Sequence, residues 1–415
     1  MHHWRIFVLA VVKQALNVDF DRLTELANEH RTMGQMLQHD REGYSEAPRY
    51  ELQTVIDNVS LITEEIWAAL NQVIVKFGHE VLGVGPATPL GARVDSYVVE
   101  TNIRRPMDVA LLHEGVQQGM TKASRAWNAE GLSRRARGEA TGWRQLRHLR
   151  RTLLSAFRKV DAAKKYNQRP DAVLAYLALC AARLGKCEET YARLLEAFPD
   201  ARALSELRVA LDRAWALHDL VERRWVKKEK IPNSEKILSL HAPHTRWVKK
   251  GKAPPNEIEF GVPVAIIESD RRLIMGWEIM WKEEDVKMVI PILAKYPAAY
   301  PNLSSMSFDR GYWSPENLEA SRSTPLPINL PKKGYLSQAD RARQSTEAFQ
   351  KARRNHAQVE SRIHCLEQHG GGRIRTKGGK AGFARTVGAS VVATNLCRIG
   401  AFLMDQRRTL LRQAA

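Results

Sequence analysis

Three acidic residues far apart in the chain, Asp95, Asp309 and Glu360, stand where an isolated carboxylate is unfavourable. Asp95 lies inside Arg93-Val94-Asp95-Ser96-Tyr97-Val98-Val99, a β-branched stretch that reads as a strand. Strand alternation puts Asp95, Tyr97 and Val99 on one face and Val94, Ser96 and Val98 on the other. An acid in the middle of such a strand needs a partner or a cation. Asp309 closes Ser304-Ser305-Met306-Ser307-Phe308-Asp309, a second predicted strand, and is followed by a turn at Gly311. A helix then begins with Ser314 as N-cap and Pro315 as its first residue. An acid at the carboxyl end of a strand points into the crevice where open α/β sheets keep their sites. The alternative is that Asp309 only orders its own turn. Glu360 sits on a predicted helix over 345–368, in a line with Arg353, His356 and His364 beside the apolar line Phe349, Ala352, Val359, Ile363 and Leu366.

Carboxylates gathered at one place repel one another and are stable mainly around divalent cations. Two Mg²⁺ (or Mn²⁺) ions about 4 Å apart would activate an attacking oxygen and stabilise a leaving one in a displacement at phosphorus. Spacing alone is weak support, because a chain with 46 acidic residues always offers some such triple. The weight comes from the kind of element that carries each acid. Glu100, five residues after Asp95, faces the other way and ranks below it. Asp108, two residues after Pro106, reads as a helix N-cap.

The elements that must position these acids follow in order. Residues 4–80 carry apolar residues at helical spacing and read as an N-terminal helical domain (1–85). The chain starts abruptly inside an apolar helix, which suggests an upstream portion. After the Gly83–Ala87 linker, the first strand of the core falls within 90–106. Residues 107–240 read as an all-α, basic insertion. Within it, Pro170–Asp200 reads as two helices joined by a turn at Gly185. The remainder of the core, 241–410, opens on a hairpin: Ile258, Phe260, Val262, Val264 and Ile266 alternate, Ser269–Arg272 turns, and Leu273–Trp281 returns. A helix over 284–294, the Asp309 strand, an edge strand at Pro325–Pro331 and the Glu360 helix complete it. With the insertion removed, the order β–β–β–α–β–(β)–α is that of an RNase H-like α/β core with a mixed sheet. The apolar final helix, 383–404, reads as buried, because Arg385, Asn395 and Arg398 argue against a membrane span.

Composition narrows the partners. The chain has 415 residues, 44% apolar and 27% charged, with a net charge of +18. Residues 1–80 carry −5, 115–240 carry +12 and 341–415 carry +11. Such basic segments favour nucleic acid over membrane. Arg144, Arg147, Arg151 and Arg158 recur at helical spacing as a basic stripe near Trp127 and Trp143. This stripe suits phosphate contact better than a merely solvated face, because few acids interleave. Cys180, Cys187, Cys365 and Cys397 show no CxxC pair and no zinc spacing and read as buried free thiols in a reducing cytoplasm. Gly378-Gly379-Lys380-Ala381 lacks the upstream glycine and final hydroxyl of a phosphate loop. His241 and His244 have no matching Cys/His pair and read as loop residues.

Four stretches together resemble bacterial insertion-sequence DDE transposases of the ISNCY-type family. They are Asp95–Ile103; His244–Lys252 running into Glu259-Phe260-Gly261; Ser307–Pro315; and His356-Ala357-Gln358-Val359-Glu360-Ser361 with Ala393-Thr394-Asn395-Leu396. The resemblance covers nearly the whole chain. It implies Asp95, Asp309 and Glu360 as a metal-binding catalytic triad that cuts beside the inverted-repeat ends of an element. The freed 3′-hydroxyl then attacks target DNA, and the protein works as a homodimer on double-stranded DNA. Candidate phosphate contacts near the triad are Lys249, Lys250, Lys252, Arg310, Lys332, Lys333, Arg353, Arg354 and Arg362, with Arg144, Arg147 and Arg151 gripping DNA further out. The chain departs from the family at Glu367, where many relatives carry lysine, and in the glycine-rich Gly370-Gly371-Gly372. A nuclease on the same core without strand transfer, and an inactive DNA-binding relic, are the alternative functions.

Overall fold

The computed structural model describes residues 1–39, 49–103, 107–129, 143, 145–161, 170–233, 235–249, 258–375 and 378–414. The chain divides into two compact units, Met1–Asn102 with Val248–Ala415, and Ile103–Trp247.

The first unit is α/β. Its seven-stranded mixed sheet is built on β1 (Leu90–Thr101). β1 lies between β3 (Ile258–Ser269), antiparallel to it, and β5 (Leu303–Phe308), parallel to it. β4 (Ile274–Ile279) pairs antiparallel with β3, and β6 (Ile328–Asn329) pairs parallel with β5. Two short strands remain: β2 (Arg246–Lys249) on the far side of β3, within which the two units divide, and β7 (Arg373–Ile374), parallel to the end of β1. The β3–β4 hairpin appears where the alternation places it. The expected edge strand keeps only its Ile328-Asn329 core, since the flanking prolines offer no N–H to the ladder.

Period-2 alternation sorts the sheet's side chains into two cores. Tyr97, Val99, Val262, Val264 and Ile266 pack on one face with Trp67, Val359, Phe383 and Val387. Leu90, Ala92, Val94, Ala265 and Ile267 pack on the other with Met288, Val289, Ile292 and Tyr296. The helices on the first face are α1 (His3–Ala15), α5 (Glu64–Val81), α14 (Val359–Leu366) and α15 (Gly379–Ala414); α10 (Asp285–Ala299) covers the second. The N-terminal helices therefore share a core with the sheet. They do not form the separate domain expected over 1–85, because Ile6, Ala10 and Trp67 have their apolar partners on α14, α15 and the sheet itself.

α15 is long and apolar enough to cross a membrane by length and composition. Its first half is a core helix. Asn395 is wholly buried there, donating to Asn71 Oδ1 at 2.8 Å and Ile274 O at 2.9 Å, and accepting from Ile274 N at 2.8 Å. The helix expected over 345–368 is broken into α13 (Glu347–His356) and α14. Gln358 N donates to Asn355 O (3.2 Å) in the tight turn between them.

The second unit is helical: α6 (Asp108–Ala129), α7 (Leu146–Asp161), α8 (Pro170–Ala197) and α9 (Arg202–Val221) surround a core of their own that includes Trp127 and Trp143. α8 runs straight through Gly185, where a turn was expected. Its buried face, from Val173 through Tyr176, Cys180 and Leu184 to Leu194, is continuous, and packing outweighs the modest helix penalty of one glycine. Cys180 and Cys187 are buried free thiols, Cys365 is half-buried, and Cys397 is exposed, contrary to the expectation for all four. Cys397 lies on the solvent side of an otherwise buried stretch of α15.

Candidate active site

The register of β1 against β5 sets Val94 opposite Phe308. The next residue on each, Asp95 in the middle of β1 and Asp309 just past the end of β5, brings an acid beside that last pair, Asp95 on the odd-numbered face of β1. Arg93, two residues before Asp95, shares that face and is opposite Glu268 on β3. Asp309 ends its strand as the N-cap of a one-turn helix, its Oδ2 accepting from Gly311 N at 3.4 Å. The predicted cap that follows is present: Ser314 Oγ accepts from Asn317 N at 3.1 Å, ahead of α11 (Pro315–Ser323).

Asp95 is half-buried, with Oδ1 accepting from the N–H of Ser96 at 2.8 Å. Burial pushes its carboxyl up to about 7 against that hydrogen bond, and the charges of Asp309, Asp285 and Glu360 push the same way. The charges of the other two expected acids thus reach Asp95, and that of a fourth, Asp285, joins them. Asp285 opens α10, and a Cβ placed on Gly311 would lie 3.7 Å from Asp285 Oδ2 and 3.6 Å from Asp309 Oδ2. Its only sequence signal was an acid in a helix's first turn, which ordinarily does no more than favour the helix dipole. Tyr312 is wholly buried beside Ser96; desolvation first, then Asp285 and Asp95, keep its hydroxyl protonated.

Among the described residues no three Asp, Glu, His or Cys side chains stand close enough to close on one metal ion. Asp309 and Glu360 are exposed, and carboxylates gathered without a cation repel one another. Donor chemistry favours a hard cation: every acid is an oxygen ligand, and Asp95 takes its ionised form only against burial and three like charges.

Glu360 is carried by α14, which Glu268 anchors. Glu268 has no solvent exposure; its Oε1 lies 3.0 Å from Arg272 Nε and 3.4 Å from Arg362 Nε, and its Oε2 lies 3.3 Å from Arg93 Nη1. Arg272 also donates to Ser361. One buried acid therefore ties the strand of Asp95 to the helix of Glu360. Arg362, expected to touch phosphate, is 6% exposed and bound to Glu268, so it serves the fold instead. Lys332 is likewise engaged, 2.6 Å from Asp340 and over the Trp313 ring.

Arg310 and Arg353 line a cavity of about 100 Å³ beside Asp309, together with Ser307, Asn329 and His356. His356 Nδ1 lies 3.0 Å from Ser307 Oγ, and burial lowers the pKa of the imidazole while Asp309 opposes that shift. Lys249, Lys333 and Arg354 are exposed. In the helical unit, Arg147, Arg151 and Arg158 are exposed on α7, opposite buried Leu149, Leu153 and Val160. Arg144, Lys250 and Lys252 lie outside the described residues. Glu100 is exposed, 4.0 Å from Arg373, and stands apart from the acids. His241 pairs with Glu114 at 2.6 Å, a structural contact. No family model matches the chain, and neither the curated proteins nor the solved structures hold a significant match to it.

Proposed function

We propose that the chain is a DDE-type DNA transposase with an RNase H-like core, cutting at the ends of its element and joining the freed 3′ ends to target DNA. The carrying observation is that β5, parallel to β1, ends beside Val94 and delivers Asp309 next to it, and that the charges of Asp309, Asp285 and Glu360 all reach the Asp95 carboxyl. The strand order β4–β3–β1–β5–β6, the first three antiparallel and the last three parallel, supports the RNase H-like reading.

Asp95, Asp309 and Glu360, with Asp285 at the other side of Gly311, would hold Mg²⁺ or Mn²⁺. Bound there, divalent cations would supply Lewis acidity for an in-line displacement at phosphorus. The chain's own groups do the rest. Arg310 and Arg353 draw a phosphate toward Asp309, Tyr312 and its apolar neighbours keep water from the back of the site, and Glu268 holds α14 against β1. The exposed stripe on α7 and the net charge of +18 fit a duplex partner, bound by a pair of protomers.

Incubating the protein with the DNA that flanks its gene, with and without Mg²⁺, tests the reading. Mg²⁺-dependent nicking at inverted repeats and a joined product are expected, and both vanish in Asp309→Asn and Glu360→Gln. Wild-type cutting by either variant would refute it.

A further inference from the structure

A cavity of about 420 Å³ lies in the first unit, away from the four acids, and nothing in the proposed chemistry uses it. Its walls come from α1, α4 (Leu52–Val59), α5, the glycine turn at 370 and the start of α15. Two kinds of surface meet in it. Ile56, Val59 and Trp67 give an apolar side, and Lys13, Arg373, Arg375 and Arg385 give a cationic one. Asp19 is the one carboxylate in the lining, and its oxygen is engaged in capping α2 (Phe20–Glu29), accepting from Arg22 N at 2.8 Å.

Lys13 is the informative residue. Its side chain is half-buried, with the ammonium over the Phe20 ring 4.9 Å from the centroid, and it makes no ion pair among the described residues. Burial lowers its pKa, Asp19 opposes that, and Arg375 adds to it. A desolvated amine beside a second cation destabilises an empty pocket and is relieved by a bound anion. Arg385 is held in place by donating to Ser60 O, so one cation is pre-oriented. The volume falls in the range of roughly 300–1,000 Å³ typical of small-ligand sites and is too small for a duplex.

We propose that this cavity binds a nucleotide, its phosphoryl group against Lys13, Arg375 and Arg385 and its base against the apolar side formed by Ile56, Val59 and Trp67. The same chemistry is offered by a free nucleotide and by the 5′-phosphorylated end of a single strand. This site stands independently of the proposed transposase activity, since it shares no residue with it.

Calorimetric titration of the full chain with dAMP, with inorganic phosphate and with a 5′-phosphorylated oligonucleotide tests the site. Binding of dAMP is expected, with phosphate alone about tenfold weaker or more. Lys13→Met and the surface variant Arg375→Gln each weaken dAMP by about tenfold or more, the usual size of a charge-assisted contact. Lys13→Met leaves the thermal midpoint of the empty protein unchanged or raises it, which separates binding from folding. An oligonucleotide bound more than tenfold tighter than dAMP identifies the strand as the source; equal affinity identifies the free nucleotide. The proposal is overturned by no binding of any of the three, by phosphate binding as tightly as dAMP, or by unchanged affinity in Arg375→Gln.

Discussion

Arg362 Nε lies 3.4 Å from Glu268 Oε1, and both side chains are almost completely removed from solvent. Through Glu268 the same contact reaches Arg93 and Arg272, so three cations of β1, the hairpin turn and α14 converge on one carboxylate. Burial lifts that carboxyl above the usual range, and the three arginines only partly counter it. The cluster therefore contributes geometry more than net stability, fixing Glu360 relative to Asp95.

Removing the shared acid leaves the buried guanidinium groups of Arg93 and Arg362, and the half-buried one of Arg272, without an anion. Glu268→Ala is expected to lower unfolding free energy by about 3–5 kcal/mol. Urea denaturation measures it, and a loss below about 1 kcal/mol would show that the cluster does not hold α14.

Asp95 makes a pH-dependent contribution whose sign follows from its raised pKa. Folding favours the protonated form, so that stability is fully present below the unfolded value near 3.8 and lost as pH rises through about 7. Without divalent cations, Asp95→Asn is expected to melt higher than wild type at pH 8, by up to about 4 kcal/mol in stability, the difference shrinking toward pH 4. Mg²⁺ should raise the wild-type midpoint at pH 8 and leave the variant nearly unmoved. Equal pH profiles for the two proteins would contradict the burial of this charge.

Gly185 distinguishes a continuous helix from a turn. Nothing lies within 4 Å of a Cβ placed there, and its backbone is helical. Gly185→Ala should stabilise the helical unit by up to about 1 kcal/mol, seen as a higher melting midpoint. Destabilisation would mean that the chain bends there.

Asn395→Leu strands Ile274 N–H and Asn71 Oδ1 in the core, while Ile274 O keeps its hydrogen bond from Asn71 Nδ2. A loss of about 3 kcal/mol is expected in equilibrium unfolding. A neutral result would require that water reaches β4.

Much of this fold is local chemistry and was readable. The alternation of β3 and β4, the cap at Ser314-Pro315 and the strand context of Asp95 and Asp309 each depend on residues within a few positions of one another. Other features depend on distant partners. Asp285 looks like any first-turn acid until α10 packs its N-terminus beside Gly311. Glu268 looks like an acid misplaced among isoleucines until arginines from positions 93, 272 and 362 meet it. Arg362 reads as a phosphate contact for the same reason: a cation near a candidate site declares its charge but not its direction. The N-terminal helices were assigned a domain of their own because amphipathic periodicity marks an apolar stripe without naming what covers it.

Sequence by itself determined most of the strands and helices, where the basic charge lies, and the kind of element on or beside which Asp95, Asp309 and Glu360 stand. Tertiary structure alone decided that the end of β5 brings Asp309 to the middle of β1 near Asp95, that Asp285 joins them, and that Glu268 gathers three arginines and so holds α14. The physical reason is range. Backbone propensity and side-chain period act over one or two turns, whereas register and buried charge pairing are settled by groups hundreds of residues apart that meet only when the core closes.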